Sequence, residues 1–438
     1  MRSHLILSAV SLSAMALGAI MLTTMPASTQ SGSDAEEEAE TPYVLPKSGP
    51  FNPEEINIEN DQAISDWYRS AHADQAAEAF RHWDGEEGIV PVCSVFHSGE
   101  GFRAFHGLDG SEPGVPEAPI ETGGVVDCGT CHNAGLSEVK DVAFPSGLLH
   151  PVQGVEAACM TCHQGRTAGA DVSAAVDGTE EDAPDPELRF INPHYATAAA
   201  TWLGAYGGAG YHYDGREYSG RFFHARPVST CNSCHQPHTL EVEFEPCTTC
   251  HQGDSPAAIR ISRQSYDGSG DTSVGIRTDI NNNADLLLDM IVDYGARIAG
   301  VPIIYDGHRY PYFFADANGD GMIDEAAGRP VTYNAWTPRM LKAAYNWKLV
   351  TADPGNFAHN PAYVLELLHD SIEDLIRTAV RASREVHGSA PSVRIDAAAS
   401  IDAATVGGRL RRTLSPRWSV FGRLALGYTT ATLTLTDA

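Results

Sequence analysis

Eight of the nine cysteines in this 438-residue chain fall into four copies of one pattern, Cys-x-x-Cys-His. The copies are Cys128, Cys131 and His132; Cys159, Cys162 and His163; Cys231, Cys234 and His235; and Cys247, Cys250 and His251. Two thiols at this spacing can add to the two vinyl groups of one haem as thioethers. The adjacent His can then reach the iron as its proximal ligand. Structural zinc also uses Cys pairs, but it gives no reason for a His directly after every second Cys. A disulfide framework is the other alternative, and thiols so close in sequence suit redox couples better than staples. The pattern therefore predicts four covalently held haem c groups.

The ninth cysteine stands in Cys93-Ser-Val-Phe-His97. This segment keeps the first Cys and the His of the pattern at the right spacing, with Phe96 in place of the second Cys. One thioether and a His–iron bond can hold a haem, with the Phe96 ring packed on the porphyrin. A decayed motif with a free thiol is the alternative. The reading adopted is a fifth haem at Cys93 and His97.

Each six-coordinate iron needs a second axial ligand, His or Met. Of eight Met, Met1, Met15, Met21 and Met25 lie at the N-terminus and Met160 inside a motif, which leaves Met290, Met322 and Met340. His is abundant, with 18 in all, so bis-His ligation is expected. The distal candidates are His72, His194, His224, His238 and His359. His238 follows His235 by only three residues, too close to reach the far face of the same iron, so it would serve a neighbouring haem. His82, His106, His150 and His212 form a second tier.

Carried by the four motifs and by contexts such as Tyr68-Arg-Ser-Ala-His72-Ala and Ala358-His359-Asn-Pro-Ala-Tyr363, residues 60–385 resemble the multihaem c-type cytochromes of respiratory electron transfer. The resemblance implies closely packed, mainly bis-His haems that relay electrons, with donor and acceptor proteins as redox partners. It also implies the fold class: a multihaem cytochrome, mostly α, with extensive irregular loops packed around haems and little β. The tail after residue 388 departs from the family's pattern.

The elements that must position these residues follow from composition and periodicity. Residues 1–27 read as a signal peptide, with Arg2 before the apolar stretch Leu5 to Leu22 and small residues near Ala27. An uncleaved anchor is the alternative. Residues 28–59 read as an acidic disordered linker. Residues 60–255 form the haem domain, opening on a helical pattern from Asp61 to Trp83. Residues 256–387 read as a helical covering region, with amphipathic helices at Ala284–Ala296, Ala335–Trp347 and Pro361–Val386. Pro361 suits a first helical turn. Residues 388–438 read as a tail, a β-hairpin or disordered, with Trp418, Val420, Gly422, Leu424, Leu426 and Tyr428 alternating.

Asp316, Asn318, Asp320 and Asp324 place oxygens at positions one, three, five and nine of an EF-hand-type loop, with Gly at the turn. Position twelve is Ala327, not the usual Glu, so calcium and a plain Asp/Gly turn stand as equal readings.

The formal net charge is −28, and it grows by one when Arg2 is lost with the signal. Such a surface disfavours nucleic acid and anionic lipid and favours cationic partners. No apolar segment after the signal is long enough to span a bilayer. The expected protein is bacterial, secreted to the periplasm or beyond the cell, and either monomeric or assembled as a homo-oligomer or polymer. Two functions stand: an electron carrier, and a reductase acting on a small nitrogen or sulfur oxyanion at an open haem site. The reductase needs an uncapped iron with acid–base groups nearby. No Cys-x-x-Cys-Lys occurs, and His is plentiful enough to cap every iron, so the carrier is favoured and enzyme status stays open.

Overall fold

The structure, a computed structural model, describes residues 61–226 and 228–386, all within one unit. The signal peptide, the linker and the 388–438 tail lie outside the described residues. The described chain is helix-rich with little strand, as expected. No helix in it is long and apolar enough to cross a membrane.

The cysteine-bearing part is made of short pieces. They are α1 (Asp61–Tyr68), α2 (Glu78–Arg81), α3 (Pro91–His97), α4 (Gly99–Phe105), α5 (Cys128–Cys131), α6 (Glu156–Cys162), α7 (Gly169–Val176) and α8 (Ala198–Gly207). One two-stranded hairpin, β1 (Asp141–Ala143) with β2 (Leu149–Pro151), lies among them. The helix expected over Asp61–Trp83 is broken. It ends at Tyr68, and His72 sits on the 3₁₀ turn Ala71–Ala73. Tertiary contacts cause the break: the Trp67 indole donates to the Val126 carbonyl at 2.9 Å, and the His72 carbonyl accepts from the Val126 amide at 3.1 Å.

After residue 255 the helices lengthen: α9 (Ile276–Arg297), α10 (Pro338–Ala352), the short α11 (Asn356–His359) and α12 (Pro361–Val386). Between α9 and α10 lie the hairpins β3 (Ile303–Tyr305) with β4 (Phe313–Ala315), and β5 (Glu325–Ala326) with β6 (Arg329–Pro330). On α9, Ile280, Ala284, Leu287 and Ile291 recur three or four residues apart and are buried. That is the spacing of one helix face. The observed α9 starts eight residues before the expected one, because Asp279 and Asn283 in its first turns are also buried and bonded. The α10 helix opens at Pro338, with the Thr337 hydroxyl accepting from the Met340 amide at 3.2 Å as cap. The α12 bounds match those expected.

The three long helices pack on one another around Trp336, Tyr333 and Phe313. Buried polar groups then tie this core to the cysteine-bearing part. Asn346 on α10 accepts from the Tyr211 amide at 2.8 Å and donates to its carbonyl at 3.0 Å. Gly210 donates to the Tyr363 hydroxyl at 2.9 Å, and an added Cβ there would stand 2.7 Å from both Tyr363 and Leu367. The 209–213 segment is thus pressed against α12, which carries α11 and His359 at its start.

Candidate functional site

Every Cys-x-x-Cys-His motif forms one turn closed by the same bond. The His amide donates to the carbonyl of the first Cys at 2.7 Å in the 128 motif, 2.9 Å in the 159 motif, 3.0 Å in the 231 motif and 2.8 Å in the 247 motif. A turn of this kind puts residues three apart on one face. Both thiols therefore face the same side, with the His beside them. In the first motif Asp127 caps the turn, accepting from the Thr130 amide at 3.0 Å while Arg103 holds its carboxylate at 2.5 Å. The Cys93–His97 segment lies wholly within α3, so its Cys and His share that helical spacing.

All nine cysteines are free thiols. Among the described residues, the one group of three or more His, Cys, Asp or Glu ligand atoms within 4.8 Å of one another is His369, Asp370 and Glu373, which contains no cysteine.

Each of the five proximal candidates instead faces a different His from outside the motifs. The ring centres are 6.5 Å apart for His163 and His72, 5.7 Å for His97 and His194, and 5.9 Å for His132 and His238. They are 6.2 Å apart for His235 and His359, and 6.0 Å for His251 and His224. A metal–imidazole bond is about 2.0 Å, so two imidazoles on opposite faces of one iron have ring centres about 6 Å apart. The residues fit a bis-His iron in five places. His238 faces the proximal His of a different motif from its own neighbour His235, as its position in sequence requires.

Several ring nitrogens are already oriented by the protein. His163 Nδ1 lies 3.0 Å from the Ala196 carbonyl, and His359 Nδ1 lies 2.8 Å from the Asp353 carboxylate. Such bonds fix the ring and leave the other nitrogen for a metal. Asp353 is buried and six residues before His359, and no sequence pattern marks it. His194 has a left-handed backbone, φ 82°, rare for a residue with a side chain. Its amide donates to the Asn192 side chain at 3.0 Å. Burial, then His163, lowers the His72 pKa to about 4. Burial, then His97 and Arg166, lowers that of His194 to about 4. Neutral imidazole is the form that binds metal.

The second-tier histidines go elsewhere. His82 pairs with Glu78 at 2.8 Å, His106 contacts the Thr161 hydroxyl at 3.0 Å, and His212 contacts the Tyr363 hydroxyl at 2.9 Å. His150 sits among aromatic rings. Of the three remaining Met, Met340 is fully buried in the helical core and Met322 is exposed on a loop.

Thiols of successive motifs lie close enough to act on one another. The Cys231 thiol is raised first by a hydrogen bond with Cys159, then by burial. Burial, then Cys131, pushes Cys162 up to about 12. Cys234 is raised by burial and then by Cys247. Arg166, three residues after His163, acts on Cys93. The motifs are thus neighbours in space in the order they occur in sequence, with Cys93 beside the second.

At the acidic loop the carboxylates bind the loop's own backbone. Asp316 accepts from the amides of Asp320 and Gly321, both at 3.0 Å; Asn318 accepts from Asp320 at 2.9 Å. Asp320 accepts from Met322 at 2.9 Å, and Asp324 from Ala317 at 2.7 Å. Asp316, Asp320 and Asp324 form no ligand cluster of the kind found at His369.

No protein-family model and no solved structure matches the chain. Curated relatives do. The C-type polyheme cytochrome OmcB of Geobacter sulfurreducens is 27% identical over 310 residues, covering 56% of this chain and 37% of the relative. The C-type polyheme cytochrome OmcC of the same organism is 27% identical over 257 residues, covering 49% of this chain and 29% of the relative. The chain spans about a third of the length of these relatives. The four Cys-x-x-Cys-His turns and these relatives together make the chain similar to the multihaem c-type cytochromes.

Proposed function

We propose that this chain is an exported electron relay carrying five covalently attached, bis-His haems, four on two thioethers and one on Cys93 alone. The observation that carries this reading is the set of five His–His pairs, each spaced for one iron and each using a different motif His. When bound, each haem supplies a one-electron ferric/ferrous couple. The protein's part is to fix ring orientation through Ala196 and Asp353, to keep both axial positions filled, and to hold neighbouring haems close.

The interaction of thiols from successive motifs supports closeness. Thioether carbons belong to the porphyrin edge, so adjacent thiols bring porphyrin edges together. The path runs from the 128 motif through 159 and 231 to 247, with the Cys93 haem joined beside the 159 motif. The acidic charge suits redox partner proteins with basic faces, in the periplasm or outside the cell. With a His opposite every motif His, the arrangement supports a carrier over an oxyanion reductase.

The test is spectroscopic. Purified ferric protein should give low-spin resonances alone in electron paramagnetic resonance, with no sulfur-to-iron charge-transfer band in the near infrared. A substantial high-spin signal, or spectral change with added nitrite or sulfite, would turn the reading toward the reductase.

A further inference from the structure

His150 and Arg221 make a site that contains no motif residue. His150 lies on β2 opposite Val142, faces inward and is 2% exposed. Its Nδ1 has no hydrogen-bond partner. The rings of Phe144, Trp202 and Tyr206 meet it edge-on, with centres 6.2, 6.2 and 5.8 Å away. Arg221 stacks on the face of the same Trp202, its guanidinium carbon 4.0 Å from the ring centre, and lies 5.2 Å from the Phe223 ring. The Arg221 Nε is buried and also lacks a partner. A bond from the Phe222 amide to the Trp202 carbonyl, 2.9 Å long, holds this segment in place.

The contrast with other part-buried arginines is informative. Arg103, Arg260 and Arg339 each hold a carboxylate. Arg221 is in no ion pair among the described residues, in a chain with 57 acidic and 29 basic residues. Glu156 feels its charge without pairing with it. Two buried, unpartnered nitrogens beside one indole, the Arg221 Nε–H and the His150 Nδ1 in its protonated tautomer, are complementary to an anion with two oxygens. Guanidinium–carboxylate bonds are among the strongest such contacts. Trp202 also packs against the same apolar cluster as Cys131 and Cys162, residues of two haem-attachment turns.

We infer that Arg221 and His150 together bind a carboxylate, the propionate of one of the chain's own haems. The inference rests on the haem reading above. A free inorganic or carboxylate anion shares the chemistry and is the competing source. In either case both residues are positioning residues for an anion and take no part in electron transfer.

The experiment uses the full secreted protein with its haem carboxyl carbons labelled with carbon-13. Intact mass first establishes that haem is attached; its absence would defeat both this inference and the reading it rests on. Redox-difference infrared spectra are then compared for the wild type, Arg221→Gln, Arg221→Lys and His150→Gln. The inference expects a label-sensitive carboxylate band that shifts in Arg221→Gln and His150→Gln and is largely kept in Arg221→Lys. One midpoint potential should move negative in Arg221→Gln. Label-sensitive bands unchanged in every variant, with haem present, would overturn it. So would a wild-type potential that follows added sulfate or acetate while those bands stay fixed.

Discussion

Between Ile276 and Leu375 the interior is built from large side chains. Trp336, Tyr333, Phe313, Leu287, Ile291, Leu367 and Leu368 meet in one continuous core. Between Asp61 and His251 the apolar interior is mostly a smaller cluster around Phe102, Leu136, Val142, Phe144, Met160 and Leu203. Helices there are ten residues or fewer, whereas α9 and α12 run to 22 and 26. Burial of apolar area is the main favourable term in folding. A stretch this long with so little apolar side chain needs another source, and the five porphyrins proposed above would supply one. The helical part, by contrast, supplies most of a large core that also takes in Val176, Leu188, Ala200 and Ala209, and it contributes His359 from the turn just before α12.

If that contrast is right, the largest effect should come from preventing haem attachment. Replacing Cys159 and Cys162 by Ser should open much of residues 61–255 to limited proteolysis, while fragments from 276–377 persist. Equal loss of both parts would mean that the helical core depends on haem too.

The converse change targets the helical core. Leu287→Ala should destabilise the protein by about 2–5 kcal/mol through lost burial and a residual cavity. The haem number by intact mass should be unchanged.

His359→Ala joins the two regions in one test. Ferric spectra should show one haem turned high-spin, with the thermal transition of the helical core lowered by about 1–3 kcal/mol because the buried Asp353 carboxylate loses its His partner. An unchanged spectrum would remove His359 from the ligand set.

The smallest effect concerns the 316–324 loop. With its carboxylates bonded to loop amides, addition of a calcium chelator should leave the melting temperature unchanged. A clear drop on chelation would decide for the calcium reading.

What sequence made legible follows physical lines. The α12 helix is plain because Val364, Leu367, Leu368 and Leu375 form a stripe behind Pro361. The five distal candidates can be named because small residues, Pro and nearby motifs mark their contexts. Which motif His each one faces is not legible. His72 reaches His163 across ninety-one residues, and only the path of the folded chain decides that. The break after Tyr68 is hidden for the same reason, since it depends on Trp67 and His72 bonding to Val126. Asp353 and Ala196 carry no motif at all, yet they orient two of the rings.

The central claim is five haems, one of them on a single thioether, and intact mass combined with alkylation tests it most directly. The account predicts a polypeptide heavier than its sequence by five haem masses, with Cys93 unreactive to alkylating reagent after denaturation. Four haem masses with an alkylated Cys93 would contradict the fifth site, and zinc without haem would contradict the whole account.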